Sequence, residues 1–353
     1  MDRVHIAFFG ATNSGKSTLV NAIAGQKVSL VSEQPGTTTD PVKKAIELPD
    51  IGPCVLVDTA GYGDQGSLGQ ERERLTRAVI DSTDVAVLLR SGHPSDNEWA
   101  ALLQKADVPV VEVNPSEVER SHLIRRISEA LPKEEHSYLT GRLVKPGDTV
   151  LLVMPQDSEA PKGRIILPQV QVLRELLDRN CVPVCCTPES LKDALEKASP
   201  DLVITDSQVF PLVNASIPSS LPLTSFSILL AGAKGDIGVF VEGAKSIPSL
   251  RPGAHVLIAE ACTHVPDTED IGRVKIPALL QKEISLNIDI AAGDDFPEDL
   301  SGYDLIIQCG GCVAGTAVIR SRMRKALLAG VPITNYGIAL AQLSGILDRV
   351  SLP

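Results

Sequence analysis

Val4-His5-Ile6-Ala7-Phe8-Phe9-Gly10-Ala11-Thr12-Asn13-Ser14-Gly15-Lys16-Ser17 is an apolar run that feeds straight into G-x-x-x-x-G-K-S. With a strand before it and a helix after it, that motif is a phosphate-binding loop. Gly10 and Gly15 let the backbone wrap closely, so that consecutive N–H groups point inward. Lys16 brings a positive charge to the β- and γ-phosphates, and the Ser17 hydroxyl is the candidate Mg2+ ligand. The helix beginning near Lys16 adds its positive end to the anion site. The candidate nucleotide-binding residues are therefore Gly10, Asn13, Ser14, Gly15, Lys16, Ser17 and Thr18.

Further along, Pro35-Gly36-Thr37-Thr38-Thr39-Asp40 is a polar stretch where a switch loop belongs, and Thr38 is placed to meet Mg2+ when a γ-phosphate is present. The apolar strand Cys54–Val57 ends in Asp58-Thr59-Ala60-Gly61, a D-x-x-G in which Asp58 holds Mg2+ and the Gly61 N–H senses the γ-phosphate. Lys16, Thr38, Asp58 and Gly61 are thus the candidate hydrolytic residues. Where a guanine-reading Asn-Lys-x-Asp is expected, the chain has Asn114-Pro115-Ser116-Glu117. One helix follows, near 121–131, so one strand–helix unit of the usual nucleotide domain is missing. The strand at 108–113 is either the base-reading strand or the last one.

The composition sets the frame. A chain of 353 residues calls for two or three domains, and 43% apolar with 22% charged residues describes an ordinary globular protein. A net charge of −11 argues against nucleic acid as a partner. Residues 1–30 lack a basic–apolar–small leader, and no apolar run reaches membrane-spanning length, so a cytoplasmic location without a membrane partner is expected. Seven cysteines in such a protein point to packing, catalysis or metal rather than disulfides.

Periodicity gives an α/β protein of three domains: a P-loop nucleotide hydrolase domain, apparently shortened, at 1–135, then two smaller parallel α/β domains at 136–222 and 223–353. The linker is the charged, irregular stretch 132–141, and the second domain ends in the proline- and serine-rich segment 211–222. The segments read as distinct, with no internal repeat and no low-complexity tract.

Cys262 directly follows the apolar run 255–261, and Cys309-Gly310-Gly311-Cys312 directly follows 305–308. Both lie where a parallel strand gives way to a loop, the edge at which open α/β sheets place ligands. Three cysteines from two neighbouring strand ends suit an iron–sulfur cluster with one non-cysteine position, whereas a structural zinc demands four closed ligands. A C-x-x-C is also a redox pair in many proteins. Candidates for a fourth ligand are His264, Glu260, Gln308 or an exogenous molecule. Cys54, Cys181, Cys185 and Cys186 read as packing residues.

Taken together, these residues resemble the HydF family, the maturation GTPases that serve [FeFe]-hydrogenase, and the resemblance spans the whole chain. It is carried by the stretch 157–171, by Pro222-Leu223-Thr224-Ser225-Phe226-Ser227-Ile228, by Glu260-Ala261-Cys262-Thr263-His264 with Cys309-Gly310-Gly311-Cys312, and by Pro332-Ile333-Thr334-Asn335-Tyr336-Gly337. The resemblance implies a homodimer or tetramer that binds GTP and Mg2+ and holds a [4Fe-4S] cluster on Cys262, Cys309 and Cys312, with His264 as a further candidate ligand. It also implies that such a scaffold accepts a diiron precursor from two radical-SAM maturases and delivers it to apo-[FeFe]-hydrogenase. In the similar TrmE–Era branch the loop asparagine, here Asn13, helps bind K+. Tyr62 stands where Ras-like enzymes carry a water-orienting glutamine, which implies slow intrinsic hydrolysis.

Departures from the family pattern are the altered 114–117 motif, Val265 in place of a second histidine, and Gln308 in place of the histidine before C-x-x-C. They keep two alternatives open: a divergent paralogue serving another metallocofactor, and a regulatory GTPase with a zinc or redox cysteine site.

Overall fold

The computed structural model describes residues 3–25, 41–59, 75, 78–114, 119–132, 138–156, 163, 165–261, 270–282 and 284–353. The chain divides into two compact units, Met1–Glu135 with Gly315–Ser321, and His136–Ala314 with Arg322–Pro353.

The first unit is built on strands β1 (Val4–Phe9), β2 (Val42–Leu48), β3 (Gly52–Asp58), β4 (Val85–Leu89) and β5 (Val110–Val113), in the sheet order β2-β3-β1-β4-β5. All neighbours are parallel except β2, which runs antiparallel to β3. The central strands β1, β3 and β4 are covered on both faces, which is why they read as continuous apolar runs. Edge strand β2, Val-Lys-Lys-Ala-Ile-Glu-Leu, alternates between exposed and half-buried positions, and its lysines hide it from a search for apolar runs. On one face Phe9 packs against Trp99 of the helix Ser95–Lys105, with ring centroids 4.9 Å apart. On the other face, the helix Lys16–Ala24 and the helix Arg120–Ala130 bury Leu19, Ile23, Leu123 and Ile127. Strand β5 lies directly beside β4 on the outer edge, immediately after the helix Ser95–Lys105. No sixth strand follows it among the described residues of this unit.

The second unit contains two sheets of four parallel strands. One comprises β6 (Thr149–Val153), β7 (Val182–Cys186), β8 (Leu202–Thr205) and β9 (Leu223–Ser225), ordered β7-β6-β8-β9. The other comprises β10 (His255–Glu260), β11 (Asn287–Ala292), β12 (Leu305–Gln308) and β13 (Ile333–Asn335), ordered β11-β10-β12-β13. Strand β9 and the helix Phe226–Lys234 complete the first of these sheets, so a boundary at 222/223 cuts through one folded layer. The proline- and serine-rich segment opens with a helix over Phe210–Ser216, with Pro211 in its first turn, where the missing N–H costs nothing.

The two sheets are copies of one another, which corrects the expectation of no internal repeat. Register makes β6 equivalent to β10, β8 to β12 and β9 to β13. In each copy an aspartate carboxylate accepts a hydrogen bond from the first N–H of the central strand: Asp201 from Thr149 and Asp304 from His255, both at 2.8 Å. The same aspartates donate their own N–H groups back to the Thr149 and His255 carbonyls, again at 2.8 Å. A left-handed glycine precedes each central strand, Gly147 at φ 93° and Gly253 at φ 83°. The last strand and helix of each copy read Pro222-Leu-Thr-Ser-Phe-Ser-Ile-Leu-Leu-Ala231 and Pro332-Ile-Thr-Asn-Tyr-Gly-Ile-Ala-Leu-Ala341, with Ser225 and Asn335 capping the helices.

The copies face each other across a pseudo-two-fold axis. Equivalent residues Ser227 and Gly337 meet there, and a Cβ added to Gly337 would lie 2.8 Å from the Ser227 Cβ. The related contacts are reproduced on both sides: that Cβ would stand 3.0 Å from Ser207 Oγ, and one on Gly310, the equivalent of Ser207, would stand 3.6 Å from Ser227 Oγ. Among the described residues only the second copy carries the added helix Ile237–Lys245, which lies so close to β13 that a Cβ on Gly243 would fall 2.0 Å from the Ile333 carbonyl oxygen.

Candidate functional site

Two sites emerge, one in each unit. In the first, Gly10 closes β1 at φ 153°, and a Cβ there would meet Ser14 Oγ at 2.9 Å and Leu89 at 3.2 Å. Asn13 and Gly15 adopt left-handed conformations at φ 61° and 91°, and this curls the loop before the helix Lys16–Ala24. Lys16 is buried, and its ammonium donates to the carbonyl oxygens of Gly10 at 3.1 Å and Ala11 at 2.8 Å. Burial holds this lysine below its ordinary pKa, while the carboxylates of Asp58 and Asp96 act in the opposite direction. Ser17 is half-buried, and Thr18 and Asn13 are exposed.

Asp58 ends β3 with one buried carboxylate oxygen, Oδ1, that has no hydrogen-bond partner, and Ser14 Oγ is in the same condition. Orphaned buried oxygens beside a lysine held by loop carbonyls fit a site that completes its bonding with a phosphate and its hydrated cation. Thr59 is fixed by donating to the Phe8 carbonyl at 2.6 Å. Asp96, which motif reading passes over, is buried and accepts from the Ser91 and Gly92 N–H groups at 2.7 and 2.9 Å. Thr38 and Gly61 lie outside the described residues, as do Tyr62 and residues 115–118, so the structure is read for Lys16, Ser17 and Asp58.

The second site lies at the carboxyl ends of β10 and β12. Cys309 and Cys312 are both half-buried free thiols. The Ala261 N–H donates to Cys309 Sγ at 3.0 Å, and the Cys309 N–H donates to the Ala259 carbonyl at 2.9 Å, which anchors the loop to the central strand. Burial pushes the Cys309 thiol up, and the N–H groups of Ala261 and Gly311 and the nearby Arg322 guanidinium pull it down. Gly311, at φ 60°, makes the turn between the cysteines.

Several buried polar groups surround this loop. Gln308 is 1% exposed and neither its Oε1 nor its Nε2 has a partner. The Tyr336 hydroxyl is also buried without a partner; burial raises its pKa well above the usual value, with Cys309 the next cause. Glu260 receives both ends of Arg273 at 2.9 and 2.7 Å, and Arg322 donates to the Glu260 carbonyl at 3.0 Å. Lys234 reaches across from the first copy to the carbonyls of Gly311 at 2.7 Å and Ala314 at 2.8 Å.

Cys262 and His264 lie outside the described residues, so of the expected cluster ligands the structure describes Cys309 and Cys312. Among the described residues no group of three His, Cys, Asp or Glu stands ready for a metal ion. The pair nonetheless fits a soft metal centre, since backbone N–H groups aimed at a cysteine sulfur are a feature of iron–sulfur sites. Of the residues read as packing cysteines, Cys54 and Cys181 are buried, Cys186 is half-buried, and Cys185 is exposed on the edge strand β7, which has no neighbour on that side among the described strands. Gln308 is visible in sequence as a polar residue closing an apolar strand; Tyr336 falls in the stretch 332–337 that carries the resemblance, and Lys234 and Arg322 come from other segments.

The fold and the first site define a P-loop GTPase domain joined to a duplicated parallel α/β unit. Residues 5–114 match the family model described as a 50S ribosome-binding GTPase. Residues 139–235 match the hydrogen maturase F dimerization domain, and residues 238–353 the hydrogen maturase F tetramerization domain. These last two span more than half of the chain, which belongs to the hydrogen maturase F family.

Curated GTPases match about a third of the chain. GTPase Der of Nitrobacter winogradskyi is 40% identical over 119 residues, 32% of this chain and 26% of that protein. The tRNA modification GTPase MnmE of Nitrosomonas eutropha is 33% identical over 132 residues, 36% of this chain and 28% of that protein. The chain therefore spans about a quarter of the length of these relatives. A crystal structure of Aquifex aeolicus Era aligns over 84% of this chain and 97% of that one, at 16% identity and a TM-score of 0.29. Among the described residues no helix is long and apolar enough to cross a membrane.

Proposed function

We propose that this chain is a GTP-hydrolysing scaffold for [FeFe]-hydrogenase maturation. It holds a [4Fe-4S] cluster on Cys262, Cys309 and Cys312, accepts a diiron precursor from radical-SAM maturases as cargo, and delivers it to apo-hydrogenase. The observation that carries the reading is the Cys309–Cys312 loop, at the strand ends of a hydrogen maturase F chain, with the Ala261 N–H directed at Cys309 Sγ. When bound, the cluster supplies an exchangeable metal position and a one-electron couple. Around it the protein contributes sulfur ligands, N–H donors, and the buried Gln308 amide as a group able to orient whatever fills the remaining position.

At the nucleotide site, Lys16 exchanges the Gly10 and Ala11 carbonyls for phosphate oxygens as GTP binds. Asp58 and Ser17 hold Mg2+ and its water, with Thr38 joining them and the Gly61 N–H sensing the γ-phosphate. Asn13 is the candidate K+ ligand, and that ion places positive charge where other GTPases use arginine. Hydrolysis gates partner exchange, and the chain works as a cytoplasmic dimer or tetramer. The test is activation of apo-[FeFe]-hydrogenase by the chain loaded in the presence of its two maturases. Hydrogen evolution that depends on Cys309 supports the reading, and equal activation by Cys309→Ser contradicts it.

A further inference from the structure

We infer that Lys234 is a positioning residue for the cysteine loop: a cation supplied by the dimerisation copy that clamps the loop of the other copy and sets the potential of the cluster held there. It rests on the reading of Cys309 and Cys312 as metal ligands.

The side chain is 4% exposed, and its ammonium donates to the Gly311 and Ala314 carbonyls at 2.7 and 2.8 Å. These two acceptors bracket Cys312, so one buried group fixes the loop on both sides of a thiol. Burying an ammonium is costly, and a lysine is retained in such a place when the site has use for its charge. Thiolate ligation to a cluster brings negative charge to this loop. A neighbouring fixed cation favours the reduced, more negative state and raises the reduction potential.

The internal duplication supplies the second, independent observation. Register makes Ser225 equivalent to Asn335 and Thr205 equivalent to Gln308, so Cys309 corresponds to Asp206 and Lys234 to Ser344. The pseudo-two-fold axis thus offers two equivalent helix-end positions, each belonging to the helix that packs toward the opposite copy's strand end. The helix end that meets the cysteine loop carries Lys234, and its register equivalent in the other copy is Ser344. The lysine and the cysteines break the symmetry together, on the same side. A lysine kept only to close the interface between copies has no reason to follow the cysteines.

The experiment compares the full-length wild-type chain with Lys234→Met and Lys234→Arg. In the metal-free proteins, hydrogen exchange of the amides at 309–315 is measured; Lys234→Met should exchange about tenfold faster there with β6 and β8 unchanged, and Lys234→Arg should recover protection. After reconstitution with iron and sulfide, an EPR-monitored redox titration should show the Lys234→Met cluster about tenfold harder to reduce, a shift of 59 mV for one electron. Lys234→Arg should return most of that shift. Equal loop exchange in wild type and Lys234→Met overturns the clamp, and equal potentials overturn the charge role. A wild-type chain that takes up no cluster refutes the scaffold reading and the charge role together, while the exchange comparison still decides the clamp.

Discussion

Ser227 Oγ donates to Asn335 Oδ1 at 3.1 Å, joining residues 108 positions apart that occupy the heads of equivalent helices in the two copies of the repeat. Asn335 Oδ1 also accepts from the Gly337 N–H at 2.8 Å, so one amide caps its own helix and receives the other. The two copies are thereby coupled at their axis, where Ser227 and Gly337 leave no room for a larger side chain.

That coupling predicts shared stability. Gly337→Val forces a side chain into Ser227 and Ser207, and overpacking of this kind costs about 1–3 kcal/mol. Native-state hydrogen exchange should show β6 and β10 losing protection by the same amount. Loss confined to β10 would contradict coupling through the axis.

At the nucleotide site, Lys16→Ala removes the ammonium that now rests on Gly10 and Ala11. GTP turnover should fall by a factor of about 10²–10³, the usual cost of one electrostatic stabiliser of a developing charge. Cluster content after reconstitution should be unchanged, because the cysteine site belongs to the other unit.

Base selectivity follows from the 114–117 stretch. Asn114 directly follows β5, and proline and glutamate come after it where a guanine-reading motif has lysine and aspartate. ATP should compete with GTP within about tenfold in a displacement titration, since one lost bidentate base contact is worth about 1–3 kcal/mol. A preference for GTP above a thousandfold would show that other residues read the guanine.

Burial raises the Cys54 thiol to about 11 from an ordinary 9.0. The folded state therefore holds this proton more tightly than the unfolded chain does. Stability from Cys54 is complete below pH 9 and is lost as pH rises from 9 to 11, by roughly 2–3 kcal/mol for two units. Urea melts of wild type and Cys54→Ala should converge across that window; parallel pH profiles would contradict the assignment.

The phosphate-binding loop, Asp58 and the strands other than β2 and β9 were legible because each carries a local signal, either a fixed motif or an apolar run. Strand β2 was not, because an edge strand exposes lysines; β9 is only three residues long, and the helix Phe210–Ser216 was hidden by its proline. The duplication escaped a reading along the chain because its shared features are an aspartate bonded to a strand start and a capped helix, separated by loops of different length. The cysteine pair could be read locally, but Lys234, Gln308, Tyr336 and Arg322 acquire meaning around it only when the sheets bring distant segments together.

The most direct test of the central claim is anaerobic reconstitution of the full-length chain with iron and sulfide, followed by EPR of the dithionite-reduced protein. The account predicts a fast-relaxing [4Fe-4S]+ signal in wild type that is lost in Cys262→Ala, Cys309→Ala and Cys312→Ala while nucleotide binding persists. Zinc or no metal in the wild type, or an undiminished signal in any of the three variants, would contradict it.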